Sequence, residues 1–293
     1  MVALGLLTLL APVQTGTQVI MLGTGSPVAD PKRNGPSLAI VSNGTAYMVD
    51  AGVNCVRQAD AAFHDGIAAL QPVKITTLFL THLHTDHTLG YPDLILTPWD
   101  MGRTASLNVY GPQGTKTMTA NLLEAWTIDI SVRTSGLEGT SSKGYKPIVR
   151  EFKAGEIFRD KNITVTAFKV LHGSFPNSFG FKFRAKDRTI VVSGDTRPCP
   201  ELIKQAKGAD ILVHEVYSLG HYQRSSPTFQ KYLQSFHTSS TQLANIAKQV
   251  KPKLLVLTHK LGYFGQPPTE FVDEIRSGGY EGEVVSANDL DRF

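Results

Sequence analysis

Histidine and aspartate crowd one short run of this chain. Thr81-His82-Leu83-His84-Thr85-Asp86-His87 sets three imidazoles and a carboxylate within six residues. Neutral imidazole and carboxylate are ligands that zinc takes at about 2.0–2.2 Å, and an open coordination position makes such a site catalytic. With extended backbone, His82 and His84 point the same way, while Asp86 and His87 follow in a turn and face a neighbouring point. The spacing therefore suits two metals, one per pair.

The elements that position this run can be read on either side of it. Ile75-Thr76-Thr77-Leu78-Phe79-Leu80 reads as a strand buried on both faces, so the histidines sit where a strand gives way to a loop. Upstream, residues 18–22 predict a strand that leads into Gly23-Thr24-Gly25-Ser26-Pro27. That stretch is a tight turn lacking the lysine of a phosphate-binding loop. Residues 38–41 and 46–49 predict a hairpin across Ser42-Asn43-Gly44-Thr45, with Asp50 ending its second strand.

Downstream, residues 107–110 read as a strand, 117–127 as a helix and 131–145 as an exposed excursion without hydrophobic period. Residues 163–171 form a strand ending at His172, and 179–184 alternate as its return strand. Further strands precede Gly194-Asp195-Thr196, His214-Glu215 and Thr258-His259. Ligands collect at strand ends in α/β sheets, so these ionisable ends can converge in space. Ser239 and Gln242 have capping-box spacing, Leu243, Ile246, Ala247 and Val250 form one apolar face, and Pro252 stops the helix. His237 falls just outside its start.

Composition sets the outer limits. With 41% apolar and 18% charged residues, the chain is neither disordered nor membrane-spanning, and no stable membrane insertion is expected. A net charge of +4 without a block of Lys or Arg is weak evidence for nucleic acid. Residues 2–13 are apolar but too short to span a bilayer, and no basic residue comes before Lys32. Segment 1–14 is expected to be a signal-peptide remnant or a buried N-terminal segment, and 15–293 a single domain; a periplasmic or secreted location is slightly favoured. Cys55 and Cys199 leave pairing open, and a homo-oligomer is compatible with the sequence.

The H-x-H-x-D-H run, the opening Leu22-Gly-Thr-Gly-Ser-Pro, the Arg33-Asn34 pair and Val49-Asp50-Ala51-Gly52 resemble the metallo-β-lactamase superfamily, in its ribonuclease Z and arylsulfatase-like branch. The resemblance covers nearly the whole chain and implies an α/β fold, the four-layer αββα sandwich. It implies that His82, His84 and His172 hold a first metal, that Asp86, His87 and His259 hold a second, and that Asp195 bridges them. Two Zn²⁺ are expected, with Mn²⁺ or Fe also compatible with this donor set. Asp50 would be a buried support. Asp86, Glu215 and His237 would be the catalytic residues, with Glu215 orienting His237 and raising its pKa for proton donation. His64, His214 and His221 stand in no ligand pattern and read as structural.

The implied function is a binuclear metal-dependent hydrolase of a small ester, whether arylsulfate, phosphodiester or lactone, with a metal-bridging hydroxide as nucleophile. A bridging Asp195 argues against the zinc β-lactamases, so a β-lactamase-like amide hydrolase stands as an alternative and not as the first reading. An iron redox or binding member is another. The branch's tRNA-gripping arm lies between the positions of His172 and Asp195, and residues 173–194 are too few to build it, so no tRNA is expected as partner. Phe175, Trp99, Tyr263 and the aromatics between Glu215 and His237 (Tyr217, Tyr222, Phe229, Tyr232 and Phe236) could wall an apolar pocket for a small, partly aromatic substrate.

Overall fold

The computed structural model describes residues 16–263, 266, 267 and 269–293, and segment 1–14 lies outside them. A first sheet takes six strands in chain order: β1 (Gln18–Gly23), β2 (Ser37–Ser42), β3 (Thr45–Val49), β4 (Thr77–Phe79), β5 (Asn108–Gly111) and β6 (Ile148–Glu151). A second takes seven: β7 (Gly155–Arg159), β8 (Ile163–Lys169), β9 (Phe179–Ala185), β10 (Thr189–Val192), β11 (Ile211–Tyr217), β12 (Leu254–Leu261) and β13 (Val284–Ser286). Each sheet is antiparallel among its earlier strands and parallel among its later ones. The C-terminal ends of β3, β4, β8, β10, β11 and β12 carry the residues singled out above.

The helices are α1 (Cys55–His64), α2 (Thr85–Thr88), α3 (Tyr91–Asp100), α4 (Thr115–Ala125), α5 (Thr127–Ser135), α6 (Pro200–Ala206), α7 (Leu219–Arg224), α8 (Pro227–Phe236), α9 (Ser240–Val250) and α10 (Glu270–Ser277). Alternation along the strands sends one set of apolar side chains between the sheets and the other outward. Met21, Ile40, Phe79, Phe181, Phe183 and Val213 share the inner layer. Ile20, Met48 and Leu78 face Val56, Ala59 and Leu94 of α1 and α3, and Leu212, Leu255 and Leu257 face Leu243, Ile246 and Ile275 of α9 and α10. The result is the four-layer αββα sandwich, and among the described residues no helix is long and apolar enough to cross a membrane.

Local chemistry explains several boundaries. Asn43 and Gly44 adopt φ of 47° and 73°, the paired left-handed values of a two-residue hairpin turn, and Ser42 pairs with Thr45. The Ser239–Gln242 capping box forms in both directions at the start of α9, and its apolar face is buried as read. One expectation is corrected. Residues 131–145 are not irregular throughout, because α5 runs on to Ser135, with Ile130 buried and Arg133 paired with Asp129 one turn back. The helix read over 117–127 starts earlier, at Thr115, and ends at Ala125.

Phe79, which ends β4 two residues before the metal run, is fully buried among Tyr110, Phe158, Phe181 and Phe183 at centroid separations of 5.1, 5.6, 5.8 and 5.7 Å. Truncating it opens a cavity between the sheets. Phe79→Ala is expected to cost about 3–5 kcal/mol, read as a lowered urea midpoint; an unchanged midpoint would contradict its central packing.

Candidate metal centre

Three backbone devices aim the strand ends at one place. Asp50 turns out of β3 with φ of 58°, and Gly194 leaves β10 with φ of 59°. A Cβ on Gly194 would meet the Phe179 carbonyl oxygen at 2.5 Å, so only glycine fits there. In the β11–β12 ladder, Glu215 pairs with Thr258 and Val216 with Lys260, which leaves His259 as the extra residue of a bulge, at φ of 42°. Bulges re-aim side chains in this way, and positive φ on a non-glycine residue is strain that the surrounding fold must hold.

These devices and α2 bring the predicted residues together. His82 Nε2 and His172 Nε2 lie 3.0 and 3.1 Å from His84 Nδ1, and each lies 3.9 Å from Asp195 Oδ2. His259 Nε2 is 3.1 Å from Asp86 Oδ2, His87 Nε2 is 3.5 Å from it, and both imidazoles approach Asp195 Oδ2, at 3.3 and 3.4 Å. Ligand atoms held at about 2.0–2.1 Å in a tetrahedron stand roughly 3.3 Å from one another. The donor set therefore fits metal at two adjoining points that share Asp195. His82, His84, His172 and Asp195 could hold one ion, and Asp86, His87 and His259 the other. His237 also lies near Asp195 and His259, but its two nitrogens face Glu215 and Tyr232.

The rear nitrogens of three imidazoles are fixed. Asp50 accepts from Thr81 N, Thr81 Oγ1 and His87 Nδ1, each at 2.8 Å. With its proton given to Asp50, the Thr81 hydroxyl accepts from His82 Nδ1 at 3.0 Å, which leaves Nε2 bare. His172 Nδ1 donates to the Phe236 carbonyl at 2.9 Å. Such partners set tautomer and ring direction. Asp50 is thus the support the sequence suggested and not a cap for α1, whose N-cap is Asn54.

Burial sets one half of the site and charge the other. Burial holds His82 well below the usual imidazole range and brings His84 and His172 down to about 4, so these rings are neutral donors. Burial opposes protonation of His87 and His259 as well, but the carboxylates around them, Asp195 and Asp86 with Asp50 beside His87, outweigh it and raise both. Asp195 is in turn held well below its ordinary value despite burial, chiefly by His259 and His87. The carboxylates thus demand positive charge, which protons on His87 and His259 meet and which a divalent ion would meet more completely.

Glu215 and His237 do come together, with Oε1 and Nδ1 3.4 Å apart. Their expected electrostatics are corrected. Burial lowers His237 to about 4 instead of raising it, and burial together with Asp195 pushes Glu215 well above the carboxylate range. Burial thus disfavours charge on both members of the pair, although the Thr196 and Thr238 amides donate to Glu215 Oε1 and draw it part of the way back.

Phe175 packs against His84 at 4.3 Å and Phe236 against His172 at 5.1 Å. Trp99 is instead buried beside Tyr145, its Nε1 donating to Ser141 O, and Tyr263 carries the Arg224 guanidinium on its ring; neither walls the site. His64 pairs with Asp60 at the surface, His221 lies against Phe229, and His214 Nδ1 donates to the Glu215 carbonyl. The glycine-rich turn spends its amides on Asp289 and the Asn34 carbonyl, so no phosphate cradle remains. Both cysteines are free and buried. Thr81 and the Phe236 carbonyl were missed as partners. The threonine's place beside His82 was the only signal in sequence.

The family model of the beta-lactamase superfamily domain matches residues 45–260. The chain belongs to the metallo-β-lactamase superfamily, in its ribonuclease Z-like branch. It is 30% identical over 279 residues to a ribonuclease Z of Mycobacterium bovis, covering 94% of this chain and 97% of that one. Over 247 residues it is 32% identical to a ribonuclease Z of a Mycobacterium species, covering 83% and 84%. Among solved structures, the metallo-beta-lactamase fold protein YhfI of Bacillus subtilis superposes with a TM-score of 0.72 at 18% identity, covering 95% and 99% of the two chains. The short form of human tRNase Z superposes at 0.68 and 23%, covering 94% and 98%.

Because His87 and His259 hold protons above the ordinary imidazole pKa, metal must displace them. Zinc uptake by metal-free protein is expected to release protons and to tighten as pH rises from about 6 to 8. Calorimetry in buffers of different ionisation enthalpy measures the release; uptake without it would contradict the charge balance described.

Proposed function

We propose that the chain is a metal-dependent phosphodiesterase, with residues 15–293 acting as one domain. The observation that carries this is the seven-residue set His82, His84, Asp86, His87, His172, Asp195 and His259, whose donor atoms surround two adjoining points at metal-ligand spacing. Two divalent ions bound there would supply an activated water and Lewis-acid stabilisation of the phosphoryl oxygens. The chain's own residues do the rest. Asp50, Thr81 and the Phe236 carbonyl hold the imidazoles in register, Phe175 and Phe236 exclude water from one side, and the Glu215–His237 pair carries the proton that the leaving oxygen needs. Zinc fits the nitrogen and oxygen donors, as do manganese and iron.

The phosphodiester is favoured over arylsulfate and lactone by the relatives named ribonuclease Z, of which the matches cover 97% and 84%. The same finding removes the ground for excluding RNA. Residues 173–194 do form only a tight hairpin and its return, without an arm, but relatives of matching extent bear that name. A small diester and an RNA 3′ end are therefore both tested as diesters.

Metal-loaded protein is expected to hydrolyse bis-p-nitrophenyl phosphate faster than p-nitrophenyl sulfate, p-nitrophenyl butyrate, dihydrocoumarin or nitrocefin. Chelation should abolish this and zinc or manganese restore it, with a precursor tRNA bearing a 3′ trailer assayed alongside. Loaded protein inert toward every diester would overturn the reading. Asp195→Ala should lose bound metal by elemental analysis and more than about 100-fold in turnover; full activity with two metals retained would refute a bridging role.

A further inference from the structure

His237 cannot meet a substrate directly in this arrangement. It is 1% exposed, its Nδ1 faces Glu215, and its Nε2 lies 3.2 Å from the hydroxyl of Tyr232. Tyr232 is partly exposed, and its ring packs at a tilt between Phe229 and Phe236, with centroids at 5.2 and 4.7 Å. The His237 ring that its hydroxyl touches lies against two of the candidate metal ligands, with centroids 5.1 Å from His172 and 5.7 Å from His259, so the phenol is one residue removed from the metal cluster. The group that covers the one His237 nitrogen not facing Glu215, and that is itself partly exposed, is the tyrosine hydroxyl.

Its position is fixed from below. The last turn of α8 is pinned by Phe236 O accepting from His172 Nδ1 and by Ser235 O accepting from Gly173 N. Gly173 has φ of 50°, and a Cβ there would meet the Phe236 ring at 2.2 Å, so glycine lets that ring seat. Tyr232 lies one turn before Phe236 on the same face, and is aimed by the same contacts.

The geometry assigns Tyr232 as a further catalytic residue, the hydroxyl that protonates the leaving oxygen, with His237 and Glu215 resupplying it from behind. This rests on the hydrolytic reading above. As the bond to the leaving oxygen breaks, the Tyr232 O–H proton passes to that oxygen. His237 Nε2–H gives its proton to the phenolic oxygen, and the Glu215 carboxyl gives one to Nδ1. Glu215 is left as carboxylate and His237 with its proton on Nδ1; the relay then runs back, the proton released by the water consumed arriving at the Tyr232 oxygen as its O–H proton passes to Nε2 and the Nδ1 proton to Glu215, so every group returns to its starting state.

The test is the dependence of kcat on leaving-group basicity, using metal-loaded wild type, Tyr232→Phe, His237→Ala and the double variant. The substrates are a series of methyl phosphodiesters with p-nitrophenyl, phenyl and alkyl leaving groups. Tyr232→Phe is expected to lower kcat by about 10–100-fold for phenyl and alkyl leaving groups. It should leave p-nitrophenyl turnover, KM and metal content nearly unchanged. His237→Ala should show the same pattern, and the double variant should be no worse than either, as for members of one relay. Equal loss across the series, an unchanged slope, multiplying losses, or loss of fold or metal in Tyr232→Phe would each overturn the assignment. An active wild type whose slope Tyr232→Phe leaves alone sinks this inference only, whereas a wild type inert toward the series sinks the functional reading with it.

Discussion

Asp195 is the point on which the structure turns. Its Oδ2 lies between 3.3 and 3.9 Å from the Nε2 atoms of His82, His87, His172 and His259, at 3% exposure. A buried carboxylate left uncompensated costs several kcal/mol. Compensation here comes from residues on different strands of both sheets, so the sheets must end at a common edge and at a fixed separation. The layer of Phe79, Phe181 and Phe183 between them sets that separation, and the positive φ at Asp50, Gly194 and His259 is strain the two cores hold in place.

Asp50 carries the support one step outward. By accepting from Thr81 and His87 together, it ties the strand end of β4 to the turn of α2 and so holds both halves of the metal run. On the other side, the last turn of α8 does the equivalent for His172 through a backbone carbonyl. Precision of this kind matters because a ligand displaced by an ångström no longer serves its metal or its substrate. The cover formed by α7 and α8 is thus part of the site's frame and not only its wall. Glu274 of α10 accepts from the amides of Leu219 and Gly220, which anchors that cover to the outer helices.

The pair Glu215 and His237 illustrates how far burial can reverse an electrostatic expectation. A carboxylate beside a histidine ordinarily raises the imidazole pKa. Here both groups lose their solvation, and the second carboxylate of Asp195 makes ionised Glu215 more costly still. The outcome disfavours charge on either member, which suits a pair that passes protons along and not a standing imidazolium.

The sequence by itself determined what short-range chemistry can encode. The H-x-H-x-D-H run, the Asn43–Gly44 turn, the Ser239–Gln242 cap and the strands ending in His172, Asp195, Glu215 and His259 were all legible, because spacing and periodicity act over a few residues. The sandwich class followed from the resemblance those motifs carry. Helix α5 was not legible, since its buried face amounts to Ile130 alone, and α8 was read only as scattered aromatics. Only the tertiary structure decided which aromatics face the site, placing Phe175, Tyr232 and Phe236 there and Trp99 elsewhere. It also decided the bulge that aims His259 and the burial that disfavours charge on the Glu215–His237 pair. These depend on contacts such as His84 to His172 and Asp86 to His259, 88 and 173 residues apart, and on a burial that no local pattern of residue types specifies.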